Sequence, residues 1–359
     1  MQQTARLYFT SMKILITGNM GYIGPNVVRH LRQTRPTAEL AGFDTGYFAN
    51  ALTSTTPFPE LELDAQWFGD VRALPQSALA GVDAVIHLAA ISNDPMGKAY
   101  EEVTMQVNHA ASVAIAEKAK KAGARAFVYA SSSSVYGFAE DGTRTENSAL
   151  NPLTAYARSK VATEVDLKKL AGRDFKVTCL RFATACGFSP RLRLDLVLND
   201  FVASALALKK INILSDGTPW RPLINTKDMA RAMDWAIGRE AGEGGDFLIV
   251  NVGSDEWNYQ VKDLAAAVQR ELPGVEVSIN PAAPPDKRSY RVDFSLFRKL
   301  APRHQPARDL AATVRELKEG LEAIGFADAN FRESRLVRLK MLNHLKAGGY
   351  IGEDLYWKR

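Results

Sequence analysis

Tyr156-Ala157-Arg158-Ser159-Lys160 sets a phenol and an ammonium four residues apart. On a helix, that spacing brings both onto one face. A neighbouring ammonium lowers the pKa of a phenol, ordinarily about 10. The pair is then a proton acceptor usable near neutral pH. Upstream, Thr17-Gly18-Asn19-Met20-Gly21-Tyr22-Ile23-Gly24 carries three glycines between a strand-like and a helix-like run. Such a turn lets a diphosphate approach the backbone at a helix N-terminus. Between the two motifs lies Ser131-Ser132-Ser133-Ser134-Val135-Tyr136-Gly137. Together these residues suit hydride and proton transfer at a carbinol carbon.

The elements that must position them follow from periodicity. Lys13–Thr17 reads as a buried strand and 22–33 as a helix. Further strands are expected over 40–44, 84–90, 126–131 and 177–182, with helices over 111–122 and 154–170. This alternation implies an α/β chain with a doubly wound, Rossmann-type parallel sheet. After Gly187 the texture changes, because Pro190, Pro219, Pro222, Pro281, Pro284 and Pro285 break it into shorter elements. Helices are expected over 201–209, 228–237, 315–324 and 335–347, and a strand over 247–252 that returns to the main sheet. The division is a flexible tail over 1–11, a dinucleotide domain over 12–187 and a smaller C-terminal substrate-binding lobe over 188–359. The stretch after Pro302 is an appendage to which the sequence assigns no role, and Met12 is an alternative translation start.

The glycine spacing is G-x-x-G-x-x-G, not G-x-G-x-x-G. Asp44, twenty residues after Gly24, ends the second strand. A carboxylate there accepts bonds from ribose hydroxyls and repels a 2′-phosphate, so NAD is expected rather than NADP. Its other reading is a solvated turn carboxylate.

Of the 359 residues, 46% are hydrophobic and 24% charged, ordinary values for a globular protein. The net charge of +5 suits an anionic small molecule, and the scattered Lys and Arg form no nucleic-acid patch. Cys179 and Cys186 are expected as reduced thiols, with no metal site. No apolar run reaches the roughly 18 residues that span a membrane. A cytoplasmic protein without a membrane partner is expected.

These residues resemble the extended short-chain dehydrogenase/reductase family, particularly its NAD-dependent nucleotide-sugar epimerases and dehydratases. The resemblance runs from about residue 13 to residue 293. It rests on the glycine turn, Asp44, Gly69-Asp70-Val71-Arg72, His87-Leu88-Ala89-Ala90, Asn108, Ser131-Ser132 with Val135-Tyr136-Gly137, Tyr156 with Lys160, and Arg221. It implies an NAD held by Gly18, Gly21, Tyr22, Ile23 and Gly24, with Asp70 and Val71 at adenine. Leu88, Ala89 and Ala90 would line the dinucleotide, and Asn108 would support the site through a helix. Lys160 would bond the nicotinamide ribose. Ser132 would bond the reacting hydroxyl, with Ser133 beside it on the substrate side.

The resemblance also implies a nucleotide-diphosphate sugar substrate. Asn199 would contact the nucleotide and Arg221 the diphosphate, a role suited to a planar, bidentate guanidinium. The alternative for Arg221 is an exposed surface arginine. Leu214 is either the residue packing the base or a plain core leucine. Asp286 would bond a ribose, and Arg288 would replace a second phosphate arginine where Ala283 stands. Thr184 stands where many relatives have an asparagine. Ser92 and Asn93 either reach the sugar or, with Asp94 and Pro95, form a capped turn. Residues 189–193 bring Arg191 and Arg193 toward an anion or form a solvated loop.

In the resembling 4,6-dehydratases an Asp-Glu pair precedes Val-Tyr-Gly, where this chain has Ser133 and Ser134. Elimination therefore lacks its acid and base. By elimination a C4 epimerase is expected, with a ketosugar reductase as the alternative and a non-catalytic dinucleotide-binding protein as a remote one. The resemblance further implies a homodimer built on helices over 100–122 and 154–170, through small residues such as Ala110, Ala111, Val113, Ala114 and Ala116.

Overall fold

Ile14, Leu15 and Ile16 are apolar on both sides of one strand, so both faces of that strand must be covered. In a computed structural model, which describes residues 11–54, 57–138, 142–280, 283 and 289–358, all three are fully buried. Seven strands make the main sheet: β1 (Lys13–Thr17), β2 (Glu39–Asp44), β3 (Ala65–Phe68), β4 (Ala84–His87), β5 (Ala126–Ser132), β6 (Lys176–Phe182) and β7 (Phe247–Val252). All pair in parallel, in the order β7-β6-β5-β4-β1-β2-β3. The order reverses between β1 and β4, which opens a crevice at their carboxyl ends. The doubly wound α/β architecture is the one expected. The strand foreseen over 247–252 does return to the sheet, pairing Phe247 with Val177 and Val252 with Phe182.

Eight helices matter for the site: α1 (Gly24–Thr34), α2 (Ala111–Lys121), α3 (Ala155–Leu170), α4 (Val197–Leu208), α5 (Thr226–Gly238), α6 (Val261–Glu271), α7 (Leu310–Ala323) and α8 (Arg338–Ala347). Val28 and Leu31 of α1 and Met233 of α5 cover one face of the sheet with Ile16 and Ile86. Ile115 and Ala119 of α2 and Leu167 of α3 cover the other with Leu15, Val85 and Phe127. A separate apolar cluster joins α4, α6 and α7 through Val202, Leu264 and Leu317. Each large side chain buried this way contributes roughly 1.5–3 kcal/mol before the entropy of ordering it.

The structure departs from expectation in three places. The strand foreseen over 84–90 stops at His87, and Leu88–Ala90 leave the sheet for the crevice. The edge strand β3 was not foreseen, because it is short and leaves Trp67 and Phe68 exposed. The helix over 100–122 is not continuous. It breaks at Tyr100 (φ −134°, ψ 56°) and widens into a π-helical turn over Gln106–Ala110. Asn108 lies in that turn, where its carbonyl accepts the hydroxyls of Ser112 and Thr163. Such bulges often mark functional positions. Of the small residues proposed for dimer contacts, Ala111 and Ala116 pack inside the chain, while Ala110 and Ala114 are exposed.

Candidate active site

The crevice is one continuous cavity of about 1030 Å³. That is at the upper end of the roughly 300–1,000 Å³ usual for small-molecule sites. The glycine turn forms its floor. Gly18 has φ +74°, and a Cβ there would lie 2.5 Å from the Ala89 nitrogen. A Cβ on Gly24 would lie 2.1 Å from the Asn19 carbonyl oxygen. Both positions therefore require glycine. The turn delivers the chain into α1, where Pro25 fits the first turn because its missing N–H is not needed. Gly18, Gly21, Tyr22 and Ile23 line the cavity.

Asp44 sits at the end of β2, with its two oxygens accepting from Met20 N and Gly46 N. Burial raises its pKa, and those two backbone donors oppose the rise. Asp70 and Val71 also line the cavity, and Asp70 pairs with Arg72 at 2.7 Å. Leu88, Ala89 and Ala90 line the adjacent wall. Asn108 does not reach the cavity. It accepts from Ile91 N and donates to Ile91 O and Ser159 Oγ, fixing the segment after β4 against α3. The glycine cradle, the helix N-terminus and the Asp44 carboxylate together fit a dinucleotide with free ribose hydroxyls.

Thr154 caps α3 by accepting from Ala157 N, which sets Tyr156 and Lys160 in the first two turns. Both line the cavity with Ser132. Lys160 Nζ is 5.5 Å from the Tyr156 ring centre and donates to the Ala130 carbonyl at 2.7 Å. Burial lowers the Lys160 pKa to about 7, opposed by Glu164 and Cys179. Tyr156 is half-buried, and its phenol is pushed up to about 12. Burial is the main cause. The Ser132 hydrogen bond and the Arg193 charge pull the other way, and Asp94 and Tyr290 add to the rise. The protein groups by themselves thus hold the phenol above its ordinary value, which reverses the direction expected from the Tyr-Lys spacing alone. The cost of desolvation outweighs the neighbouring charges.

The serine loop splits in a way the sequence did not show. Ser132 caps the short helix Ser133–Tyr136, accepting from Ser134 N. Ser133 is buried off the cavity, its hydroxyl 3.3 Å from Tyr290 Oη. Ser134 lines the cavity instead, and its hydroxyl has no partner among the described residues.

The opposite wall comes from residues at and after the end of β6. Thr184, Leu214 and Arg221 line it. Leu214 is 86% exposed, which excludes a core role. Arg221 donates to the Trp220 carbonyl at 2.9 Å. Asn199 does not line the cavity. It accepts from Gly187 N and donates to Tyr22 Oη and Arg193 O, so both its donors and its oxygen are engaged. Asp286 and Arg288 lie outside the described residues. Ser92 accepts from Arg193, and Asn93 both caps the helix Asp94–Ala99 and donates to Asp195 at 2.6 Å. The capped turn and the wall residue are thus the same asparagine.

Arg193 is buried and pairs with Asp195 at 2.8 Å, so residues 189–193 are not a solvated loop. Asp195, Tyr290 and Ser134 were missed from the sequence, which offers no spacing signal for them. Glu164 was also missed. It lies four residues beyond Lys160 on the same face of α3, accepts from Ser131, and pairs with buried Arg181 at 2.7 Å. That periodicity could have revealed it.

A model of the NAD dependent epimerase/dehydratase family matches residues 14–253. The chain belongs to that family. A Bacillus subtilis protein named as an uncharacterised UDP-glucose epimerase is 28% identical over 256 residues, 68% of this chain and 78% of its own length. A dTDP-glucose 4,6-dehydratase of Streptomyces griseus is 26% identical over 315 residues, 84% of this chain and 92% of its own. The structure of a Bacillus cereus UDP-glucuronic acid 4-epimerase, in complex with UDP-glucuronic acid and NAD, superposes with a TM-score of 0.74 at 22% identity. That likeness covers 87% of this chain and 100% of the other. The family fixes NAD as the cofactor. Among the described residues no helix is long and apolar enough to cross a membrane.

Proposed function

We propose that this family member is a nucleotide-sugar epimerase acting at C4. The observation that carries the proposal is the serine loop. The cavity has Tyr156, Lys160 and Ser132 in place, while Ser134 lines it and Ser133 turns away. Neither position offers the carboxyl group that eliminating water requires. The carboxylates near Tyr156 are otherwise engaged: Asp94 accepts from Thr154 at 2.8 Å, and Asp195 is held by Arg193 and Asn93. Bound NAD would supply a reversible hydride acceptor at the sugar carbon, with a 4-keto sugar as the transient product.

Tyr156 takes the proton of the 4-hydroxyl, oriented by Ser132; after the 4-keto sugar turns over in the cavity, hydride returns to the opposite face of C4 and Tyr156 returns the proton to its oxygen. The Arg193 charge and the Ser132 hydrogen bond favour the phenolate, and low dielectric strengthens their effect. Arg221 and Leu214 serve the diphosphate and base of the substrate. The protein acts as a homodimer through the exposed side of the π-helical turn, α2 and α3, where Ala110, Ala114 and Val165 face outward. Incubation with UDP-, GDP-, CDP- and dTDP-hexoses, followed by NMR of the products, tests the reaction. An axial–equatorial change at C4 without net NADH formation is expected. Loss of water or net reduction would overturn the C4 assignment.

A further inference from the structure

The stretch after Pro302, given no role by the sequence, ends against the cofactor half of the cavity. Met341, Leu342 and Leu345 of α8, with Ile351 and Leu355 beyond it, form an apolar cluster with Ile91, Met96, Tyr100 and Val103. Five buried side chains anchor this segment firmly. After α8 the chain turns back on itself: Lys358 N donates to Tyr350 O at 2.8 Å and Gly352 N to Tyr356 O at 2.9 Å.

The resulting hairpin touches both loops that bracket the adenosine end. Trp357 Nε1 donates to Thr45 O at 2.8 Å, next to Asp44. Tyr47 Oη donates to the carbonyl of Leu355. From the other loop, Arg72 donates to Asp354 O at 2.8 Å and stacks 3.6 Å over the Tyr356 ring. Leu355 holds φ at +59°, uncommon for a bulky residue, and is buried. Strain of that kind persists where the surroundings over-determine it and gathers at ligand clamps.

Arg338, at the start of α8, is 1% exposed and lines the same cavity. One of its terminal nitrogens donates to Arg191 O, and the other is buried with no partner among the described residues. Its guanidinium stacks 4.3 Å from the Phe48 ring, just past Tyr47, and it interacts electrostatically with Tyr22 of the glycine turn. Arg191 and Arg193 lie close by, with Glu60 and Asp195 as their carboxylates. Asp44 also acts electrostatically on Arg191, but no carboxylate bonds Arg338 among the described residues. Burial and the Arg193 charge push the Arg338 pKa down to about 9, a strain that an added anion relieves.

We propose that residues 338–358 are part of the cofactor site: Arg338 pairs with a diphosphate, that of NAD, and the terminal hairpin closes over the adenosine half and slows its release. This rests on the cofactor, not on the C4 assignment. A nucleotide sugar also carries a diphosphate; the stack on Phe48 and the Tyr22 interaction favour the dinucleotide, although Arg193 and Asp195 also face Arg338.

The test uses the full-length protein. Calorimetry compares NAD and UDP binding in wild type, Arg338→Gln and Arg338→Lys. NADH release is followed by its fluorescence during a chase with excess NAD. Arg338→Gln is expected to weaken NAD at least tenfold and change UDP less than threefold, with Arg338→Lys recovering part of the loss. Truncation after Gly349, which keeps α8, is expected to speed NADH release at least tenfold; it also serves should Arg338→Gln fail to fold by circular dichroism. Unchanged NAD affinity in a folded Arg338→Gln, a loss confined to UDP, or unchanged release from the truncated chain would each overturn the proposal.

Discussion

The two walls of the cavity are made of different material. The dinucleotide floor is backbone, shaped by glycines whose missing Cβ atoms make room. The facing wall is side chain on side chain: Arg193 on Ser92 and Asp195, Asn199 on Tyr22. A backbone cradle fails when one residue gains a carbon. A side-chain wall fails by degrees, because its members hold one another. The contrast predicts a graded set of mutational effects.

The largest belongs to the floor. Gly18→Val places carbon within 2.5 Å of Ala89 N in a φ +74° conformation. The turn must move, and NAD affinity should fall at least about 100-fold if this turn cradles the diphosphate. Calorimetry showing affinity within threefold of wild type would remove the turn from the cofactor site.

Next comes the chemistry. Tyr156→Phe removes the proposed proton acceptor and keeps the ring. Turnover should drop by about 10²-fold or more, with NAD binding preserved. A variant that retains the wild-type rate on the true substrate shows that another group moves the proton.

Lys160, on α3 between the two walls, gives a pH signature. Its ordinary pKa of 10.5 falls to about 7 in the folded protein. Between those values the unfolded chain binds the proton and the folded one does not, so stability rises with pH across this window. Below pH 7 this gain is lost. From pH 7.5 to 9.5 the rise should be on the order of 2–3 kcal/mol for the NAD-free protein. Lys160→Met should flatten it. Equal urea midpoints for wild type at the two pH values would show that Lys160 stays charged when buried.

The same contrast explains what the sequence could reveal. Gly18, Gly21, Gly24 and Asp44 were legible, because a glycine turn between a strand and a helix encodes its own backbone. Tyr156 and Lys160 were legible as a pair, because helical spacing alone joins them. The direction of the Tyr156 shift was not, since it depends on how deeply the folded chain buries the ring. Ser133 and Ser134 are adjacent in sequence, yet only the short helix after β5 decides which faces the cavity. Arg193 meets Ser92 across 101 positions, and Trp357 meets Thr45 across 312. No local pattern carries such distances, so the role of α8 and its hairpin emerged only in three dimensions.

On the facing wall, Arg221 lines the cavity and Asn199 does not. Arg221→Ala should weaken a nucleoside diphosphate by about 30-fold, ~2 kcal/mol for a charge-assisted contact. NAD affinity should hold within about threefold, because its cradle lies in the other half. Arg221→Lys should restore only part, as a point charge cannot fork across two oxygens. Equal losses for NAD and UDP would mean that Arg221 supports the fold and not the diphosphate.

The smallest effect on binding belongs to Asn199, whose place next to Arg193 makes it the sharpest control. Both its N–H donors and one lone pair of its oxygen are engaged, by Tyr22, Arg193 and Gly187, and it does not line the cavity. Asn199→Ala leaves the Tyr22 hydroxyl, still donating to Gly187 O, without its incoming bond. It also strips partners from Gly187 N and Arg193 O. The cost should be about 1–3 kcal/mol of folding stability, read as a lower urea midpoint. Nucleoside-diphosphate affinity should change less than about threefold, because the residue touches the wall from behind. If calorimetry instead shows a loss comparable with that of Arg221→Ala and an unchanged midpoint, Asn199 turns into the cavity when the nucleotide binds. The side-chain wall would then rearrange around its ligand, as the backbone floor cannot.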